Sequence, residues 1–280
     1  LAVLAVQQIR RMRGGAQGHL MLGADEQLWV VKFQNNPQHV RVLANEMLAT
    51  RLAEAAGLSV PVTDVVEVSG WLIENTPELD VDLGRERVRC QAGLQFGARY
   101  VGGTMPGQVM DYLPEEQLEE IRNLEEFAGM LALDKWTGNA NGRQAVFARK
   151  ARERRYSASF IDQGYCFHAG DWKFEDVPLR GVYPRNLVYA QVRGWESFEP
   201  WLTRLETMDA AVMWRVAEAI PPEWYGGDLS AMESLVETLI QRQKRIRALI
   251  EGFGRSQRAP FPKWVGMGKR LVHSGVGNDG

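Results

Sequence analysis

Cysteine and histidine are scarce in this sequence, with two and four respectively among 280 residues. Cys90, Cys166, His19, His39, His168 and His273 fall at no metal-ligand spacing, which excludes a zinc-organised fold. A chain this long buries a core without disulfides, so a reducing interior and a cytoplasmic protein are expected. Long apolar runs are missing too: none approaches 18 residues, and no membrane-spanning helix is expected. The opening LAVLAV is too short for a signal segment and has no basic front. Nor is there excess charge, and a formal net charge of -2 argues against a general nucleic-acid binder. What remains is an ordinary globular balance, 45% apolar and 24% charged, enough for one large domain or two lobes.

Glycine, by contrast, is concentrated near the start. Leu1 to Ile9 reads as a first strand, Gly14-Gly15-Ala16-Gln17-Gly18 as a hairpin bend, and HLMLG and Gln27 to Phe33 as the strands after it. At such a bend, backbone N–H groups approach an anion with no Cβ in the way. Lys32 lies on the following strand between Val31 and Phe33. Alternation turns it away from both neighbours, so it is either a solvated edge residue or one that projects into a cleft. From about Pro37 to Ala56, Val40, Leu43, Ala44, Met47, Leu48, Leu52 and Ala55 recur at helical spacing, and Gly57 ends the helix. Glu46 sits just off that stripe, fourteen positions after Lys32, facing solvent or reaching across to the lysine. In a phosphoryl-transfer site a strand lysine neutralises the α- and β-phosphates and a helix carboxylate fixes the lysine. The combination is more specific than its parts.

Val62 to Val68 and Gly70 to Asn75 read as short strands, Pro77 to Cys90 as a surface excursion, and Leu94 to Val101 as a strand leading to Gly102-Gly103. There a β-rich lobe crosses to a helical one, and the backbone from Arg99 and Tyr100 to Gly102 is expected to meet an adenine edge. Pro114 opens a helix with Glu115 and Glu116 in its first turn, and the pattern breaks near Asn123 into a second helix. That second helix delivers Asp134 and Trp136 to a polar cluster with Asn139, Asn141 and Asp162, the last directly after an apolar strand. The strands QAVFA and YSASFI flank a basic tip at Arg149 to Arg155, and His168 to Glu199 is expected to be irregular. One helix over about Pro200 to Ile220 follows, then one over Leu229 to Phe253 with Ser230 and Glu233 at capping-box spacing. Nine bases against one acid between Gln241 and Arg270 suggest a basic, partly mobile tail over 255–280.

Taken in order, MRGGAQGHL (12–20), VVKFQNNPQ (30–38), the NE of RVLANE (41–46), GLSVP (57–61), FGARY (96–100), LALDKWTGNANGRQAVF (131–147) and IDQG (161–164) resemble the HipA-like kinase domain family. The resemblance implies an α+β, two-lobed protein-kinase-like fold. Its β-rich nucleotide-binding lobe would span 1–101, with one helix at about 37–56, and its mainly helical lobe 102–254. It implies ATP and Mg2+ as cofactors, and phosphoryl transfer to a serine or threonine of a protein substrate. Carried over by motif, Gly14, Gly15 and Gly18, with Gln17 among them, cover the phosphates. Lys32 pairs with the phosphates and with Glu46, and Asp162 takes the place of a metal-binding aspartate, here in an Asp-Gln-Gly triplet.

The catalytic loop departs from the family pattern. Relatives read like G-N-x-D-R-H-x-x-N or G-N-x-D-G-R-Q, which sets Asn141 where the catalytic aspartate stands and Val146 where a metal-binding asparagine stands. A second register takes Asp134 and Asn139, five apart as in the general kinase loop D-x-x-x-x-N. The shorter gap to Asp162, 21 residues from Asn141 against 28 from Asp134, and the W-x-G-N run favour the first. Arg143 is then expected near phosphate charge and Gln144, with Asn139, near the metal. Asparagine positions a hydroxyl but cannot take its proton. A second expectation therefore stands beside the kinase: a pseudokinase that binds nucleotide and a protein partner without efficient transfer.

Overall fold

The computed structural model describes residues 2–102 and 107–266. Its first part is built on the period-two strands read above. β1 (Val3–Arg11), β2 (His19–Gly23) and β3 (Leu28–Lys32) are antiparallel neighbours. Then come α1 (Val42–Ala55), β4 (Thr63–Val68), α2 (Gly70–Asn75), the small pair β5 (Asp80–Asp82) and β6 (Arg87–Arg89), and β7 (Gly93–Arg99). β7 runs antiparallel between β3 and β4, and β4 closes a five-stranded barrel by pairing in parallel with β1.

Three expectations for this part change. Gly70 to Asn75 forms a helix rather than a strand, because the Ser69 hydroxyl caps it by accepting the Leu72 N–H at 3.1 Å. The excursion after it is partly core: Leu79, Val81 and Cys90 are buried against the barrel interior. Val40, placed on the apolar stripe, is 80% exposed because α1 begins only at Val42.

β2 carries a pH-sensitive group. His19 is buried, with Nε2 3.2 Å from the Asp80 carbonyl oxygen and Cys90 on the same side. Burial, aided by the charge of Arg11, pulls its pKa down to about 4. The unfolded chain protonates this ring near pH 6.5 and the folded chain only near pH 4, so stability falls as pH drops through that window. We expect His19→Gln to lose about 2 kcal/mol less than the wild type between pH 7 and pH 5 in urea denaturation. Equal losses would clear His19 of that role.

β8 (Val109–Met110), α3 (Glu115–Glu119), α4 (Glu126–Thr137), β9 (Gln144–Ala148) and β10 (Ser157–Ile161) follow, and β10, β9 and β8 make a three-stranded antiparallel sheet. The break expected near Asn123 lies between α3 and α4. After irregular chain with short 3-10 turns come α5 (Trp201–Glu206), α6 (Ala210–Glu218), α7 (Leu229–Arg242) and α8 (Ile246–Gly254). Each of the two long helices expected here is divided. Asp209 caps α6 anew, and a 3-10 turn at Gln243–Arg245 separates α7 from α8. Asp228, not Ser230, caps α7: its Oδ1 accepts the Ala231 N–H at 3.0 Å and the Ser230 hydroxyl at 2.9 Å.

α1 is the joint between the two parts, with apolar side chains buried all along it. Arg204 Nη1 donates to the Ala56 carbonyl at 3.1 Å, Trp201 Nε1 to Gly57 at 3.3 Å, and Trp224 Nε1 to Leu94 on β7 at 2.9 Å. These cross-links bind the helical part to the end of α1 and to the barrel. Beyond α8 the chain stays packed as far as Trp264, with Phe261 buried among Tyr189, Phe198 and Phe253. The remainder of the expected tail, 267–280, and Gly103 of the expected crossing lie outside the described residues. The architecture is the expected two-lobed α+β one: β-rich first, mainly helical second. Among the described residues no helix is long and apolar enough to cross a membrane.

Candidate functional site

Three ionisable groups from three separate elements meet in one place. Lys32 ends β3, Glu46 lies on α1, and Asp162 directly follows β10. The Lys32 ammonium donates to Glu46 Oε1 and, at 2.7 Å, to Asp162 Oδ1. Lys32 and Glu46 are buried, and Asp162 is half-buried. The backbone after Asp162 holds Glu46 from the other side. Gln163 N–H donates to its Oε2 at 3.0 Å and Gly164 N–H to its Oε1 at 2.9 Å. The second Asp162 oxygen, Oδ2, accepts from Gln144 Nε2 at 2.7 Å. Pairing of β9 with β10 sets Gln144 opposite Ile161, so both side chains emerge at one sheet end.

Burial opposes charge on all three groups, and their mutual attraction decides the outcome. For Lys32 the desolvation that lowers its pKa is outweighed by Glu46 and Asp162, and the ammonium is held above its usual range. Desolvation likewise works against the Asp162 carboxylate, but Lys32 overcomes it and holds the group below the usual range. Burial pushes Glu46 up, and Lys32 only partly offsets this. One ammonium against two carboxylates leaves a negative excess, and its open side is Asp162.

A second polar cluster lies behind the first. Asp134, in the last turn of α4, accepts Arg143 Nε at 2.9 Å, Arg143 Nη2, and Asn139 Nδ2 at 2.9 Å. All three residues are 2% exposed. Arg143 Nη1 goes to the Ile161 carbonyl at 2.8 Å and to Gln163 Oε1. Asn139 Oδ1 accepts the Asn141 N–H at 3.0 Å. Gly138 lets the chain turn off the helix at φ 61. Asp134, Asn139 and Arg143 therefore face one another and brace the loop rather than the opening. Asn141 is exposed, its Oδ1 accepting the Gly142 N–H at 2.8 Å and its backbone carbonyl the Gly181 N–H at 3.0 Å.

The glycine bend ends beside Lys32. Met12 N–H bonds the Gly18 carbonyl at 2.8 Å, and a Cβ on Gly18 would come 3.2 Å from the Val31 oxygen and 3.7 Å from Lys32 Cγ. Gly14 and Gly15 are exposed beyond it. Gln17 is turned aside, its amide paired with the Asp82 backbone through two 2.7 Å bonds. The N–H groups of Arg99 and Tyr100 are used within the barrel, on Val62 and Leu28 at 2.8 Å each.

Among the described residues no group of three His, Cys, Asp or Glu could hold an ion. Magnesium bound with a nucleotide needs no such cage, since one or two carboxylates and phosphate oxygens suffice. Asp162, with the exposed Gln144 amide beside it, fits that donor set.

Sequence reasoning quoted Asn45 within the NE pair but gave no role to it or to Gln163, although both are buried in this network. An asparagine inside an apolar helical stripe, beside an acid already under suspicion, was the available signal.

Residues 5–146 match the family model described as HipA-like kinase. No curated protein sequence matches the chain. The fold is similar to the crystal structure of the Helicobacter pylori proinflammatory kinase CtkA, with a TM-score of 0.51 and 12% identity over 86% of this chain and 96% of that one. It is also similar to the Golgi casein kinase, with a TM-score of 0.56 and 14% identity over 90% of this chain and 74% of that one. At such identities the likeness is one of fold.

Proposed function

The chain belongs to the HipA-like kinase family, and from that premise we propose that it binds ATP with Mg2+ and transfers a phosphoryl group to a protein serine or threonine hydroxyl. The observation that carries this reading is the meeting of Lys32, Glu46 and Asp162 beside the glycine bend. Bound magnesium would supply charge neutralisation at the transferring phosphoryl oxygens. Asp162 would hold it, with Gln144 alongside. Lys32 is shared by two carboxylates in the free protein, and in this reading phosphate oxygens replace Asp162 as its partner. Glu46 keeps the ammonium fixed during that exchange, so little reorganisation is needed as charge shifts. Gly14, Gly15 and Gly18 would bring backbone over the phosphates.

The test is transfer of label from γ-labelled ATP, with Mg2+, to the chain itself or to added protein. Transfer no greater than that of Asp162→Ala would remove the activity and leave the fold standing.

One observation favours the pseudokinase reading. Asn141, at the position of the expected catalytic aspartate, is exposed but carries no carboxylate, and the nearby carboxylate of Asp134 has both oxygens bound to Arg143. Asn141→Asp separates the two. We expect it to raise transfer about a hundredfold, the lower end of what a positioned general base contributes, with ATP affinity unchanged. An unchanged rate would mean that position 141 does not face the acceptor hydroxyl.

A further inference from the structure

We infer that Asn45 is the positioning residue of the metal-binding segment: with Glu46 it fixes the backbone that aims Asp162 at the cleft. The inference rests on the nucleotide reading above.

Asn45 is fully buried on α1. Its Nδ2 donates to three carbonyls, those of Gly164 and Cys166 at 2.9 Å and of Ala169 at 2.7 Å. Its Oδ1 accepts from Trp172 Nε1 at 2.7 Å. An amide has two hydrogens, so three converging carbonyls saturate it. Glu46 collects the N–H groups of Gln163 and Gly164 from the same turn. Two consecutive residues of one helix thus recognise the acceptors and the donors of the chain that leaves Asp162. No aliphatic residue could replace the asparagine, and an aspartate would turn a carboxylate on three carbonyl oxygens.

The segment does not hold this shape unaided. Asp162 has φ 65, and Phe167, His168 and Ala169 follow at φ 60, 57 and 58. Left-handed non-glycine residues in succession persist only where surrounding structure over-determines them. Here the surroundings are α1 with its approach, and the end of α4, where the Thr137 and Gly138 carbonyls accept the Phe167 and His168 N–H groups at 2.7 and 3.1 Å. Besides Asn45, His39 Nε2 lies 2.8 Å from the Gly164 carbonyl, and the Arg41 guanidinium stacks 4.1 Å over Trp172. α1 itself is clamped between barrel and helices, so it serves as a stiff template.

It follows that Asp162 is aimed before any ligand arrives. The metal-dependent share of nucleotide binding needs Asn45, while the share from Lys32 and the glycine bend does not.

ATP binding measured by calorimetry in Mg2+ and again in EDTA tests this on the full chain. Asn45→Asp should weaken Mg2+-dependent binding about tenfold or more, the scale for losing a partner that orients a metal ligand, yet bind ATP in EDTA within about twofold of wild type. Leu52→Ala, which opens the core under α1 without touching the segment, should keep the full Mg2+ gain. Overturning results are wild-type Mg2+ dependence in Asn45→Asp, or an equal loss in Leu52→Ala. Should Asn45→Asp fail to fold, amide hydrogen exchange of the free wild type decides. Slow exchange at Gln163 and Gly164 without ligand is expected, and fast exchange there that only Mg2+ and ATP slow would overturn the inference. A wild type with no Mg2+ gain at all would refute the nucleotide reading, and the exchange result would still judge whether α1 sets the segment in the free protein.

Discussion

Asp162→Asn is expected to abolish the Mg2+-dependent gain in ATP affinity and to cut phosphoryl transfer about a thousandfold or more, the scale of losing a preorganised electrostatic partner of the transition state. The fold should survive. Asparagine has nearly the same shape and tolerates the left-handed backbone at φ 65. Its Oδ1 still accepts from Lys32, and the Gln144 amide can turn over to present its oxygen to the new NH2 group. Glu46 remains to neutralise the buried ammonium. What disappears is the only carboxylate of the cluster that is more than marginally open. Lys32 holds the Asp162 carboxyl below its usual range, so the stabilisation from that pair is present above about pH 4. It fades as pH falls from the unfolded-state value through the folded-state value. Stability curves of variant and wild type should therefore differ at neutral pH and converge in acid. Calorimetry with and without Mg2+, beside a transfer assay, checks the main effect. Wild-type transfer in the variant would show that Asp162 holds no ion during the reaction.

Arg143→Met carries the largest expected loss of stability, about 3–5 kcal/mol, because it leaves the Asp134 carboxylate buried without a counter-charge. Desolvation works against the buried guanidinium, and chiefly the nearness of Asp134 holds it above its usual range. The same side chain also satisfies the Ile161 carbonyl and Gln163. A loss of this size should lower the melting temperature by roughly 10 °C in a chain of this length. Adding Asp134→Asn should recover a large part of it, since the remaining amide still accepts from Asn139 and carries no charge. Urea denaturation of the four proteins in that cycle gives the coupling energy. If Arg143 instead acted on bound phosphate, Arg143→Met would leave stability nearly intact and weaken ATP binding. The burial of the pair argues for the first outcome.

Much of this site could be read from local pattern. The helical stripe through Leu43, Met47 and Leu52 fixed the face of α1, and Glu46, one position before Met47, came with it. The strand pair around Arg149 to Arg155 brought Gln144 and Asp162 to one end through register alone. Asp134 and Arg143 were harder. Both looked like cleft residues, because only the turn after Gly138 makes them face each other, and nothing local announces that turn's direction. Gln17 was equally opaque, since its partner Asp82 lies 65 residues away in an excursion that showed no period. Gly70 to Asn75 was misread because a run of six residues carries too little periodicity to outweigh one serine cap. Asn45 stayed hidden for the opposite reason: its partners are backbone carbonyls, which no side-chain pattern encodes.

The most direct measurement is a crystal structure with a non-hydrolysable ATP analogue and Mg2+. The triphosphate should lie under Gly14 to Gly18, with the Lys32 ammonium on a phosphate oxygen and the ion on Asp162. A nucleotide bound elsewhere, or an ammonium still locked between its two carboxylates with no ion on Asp162, would contradict the nucleotide site at its root.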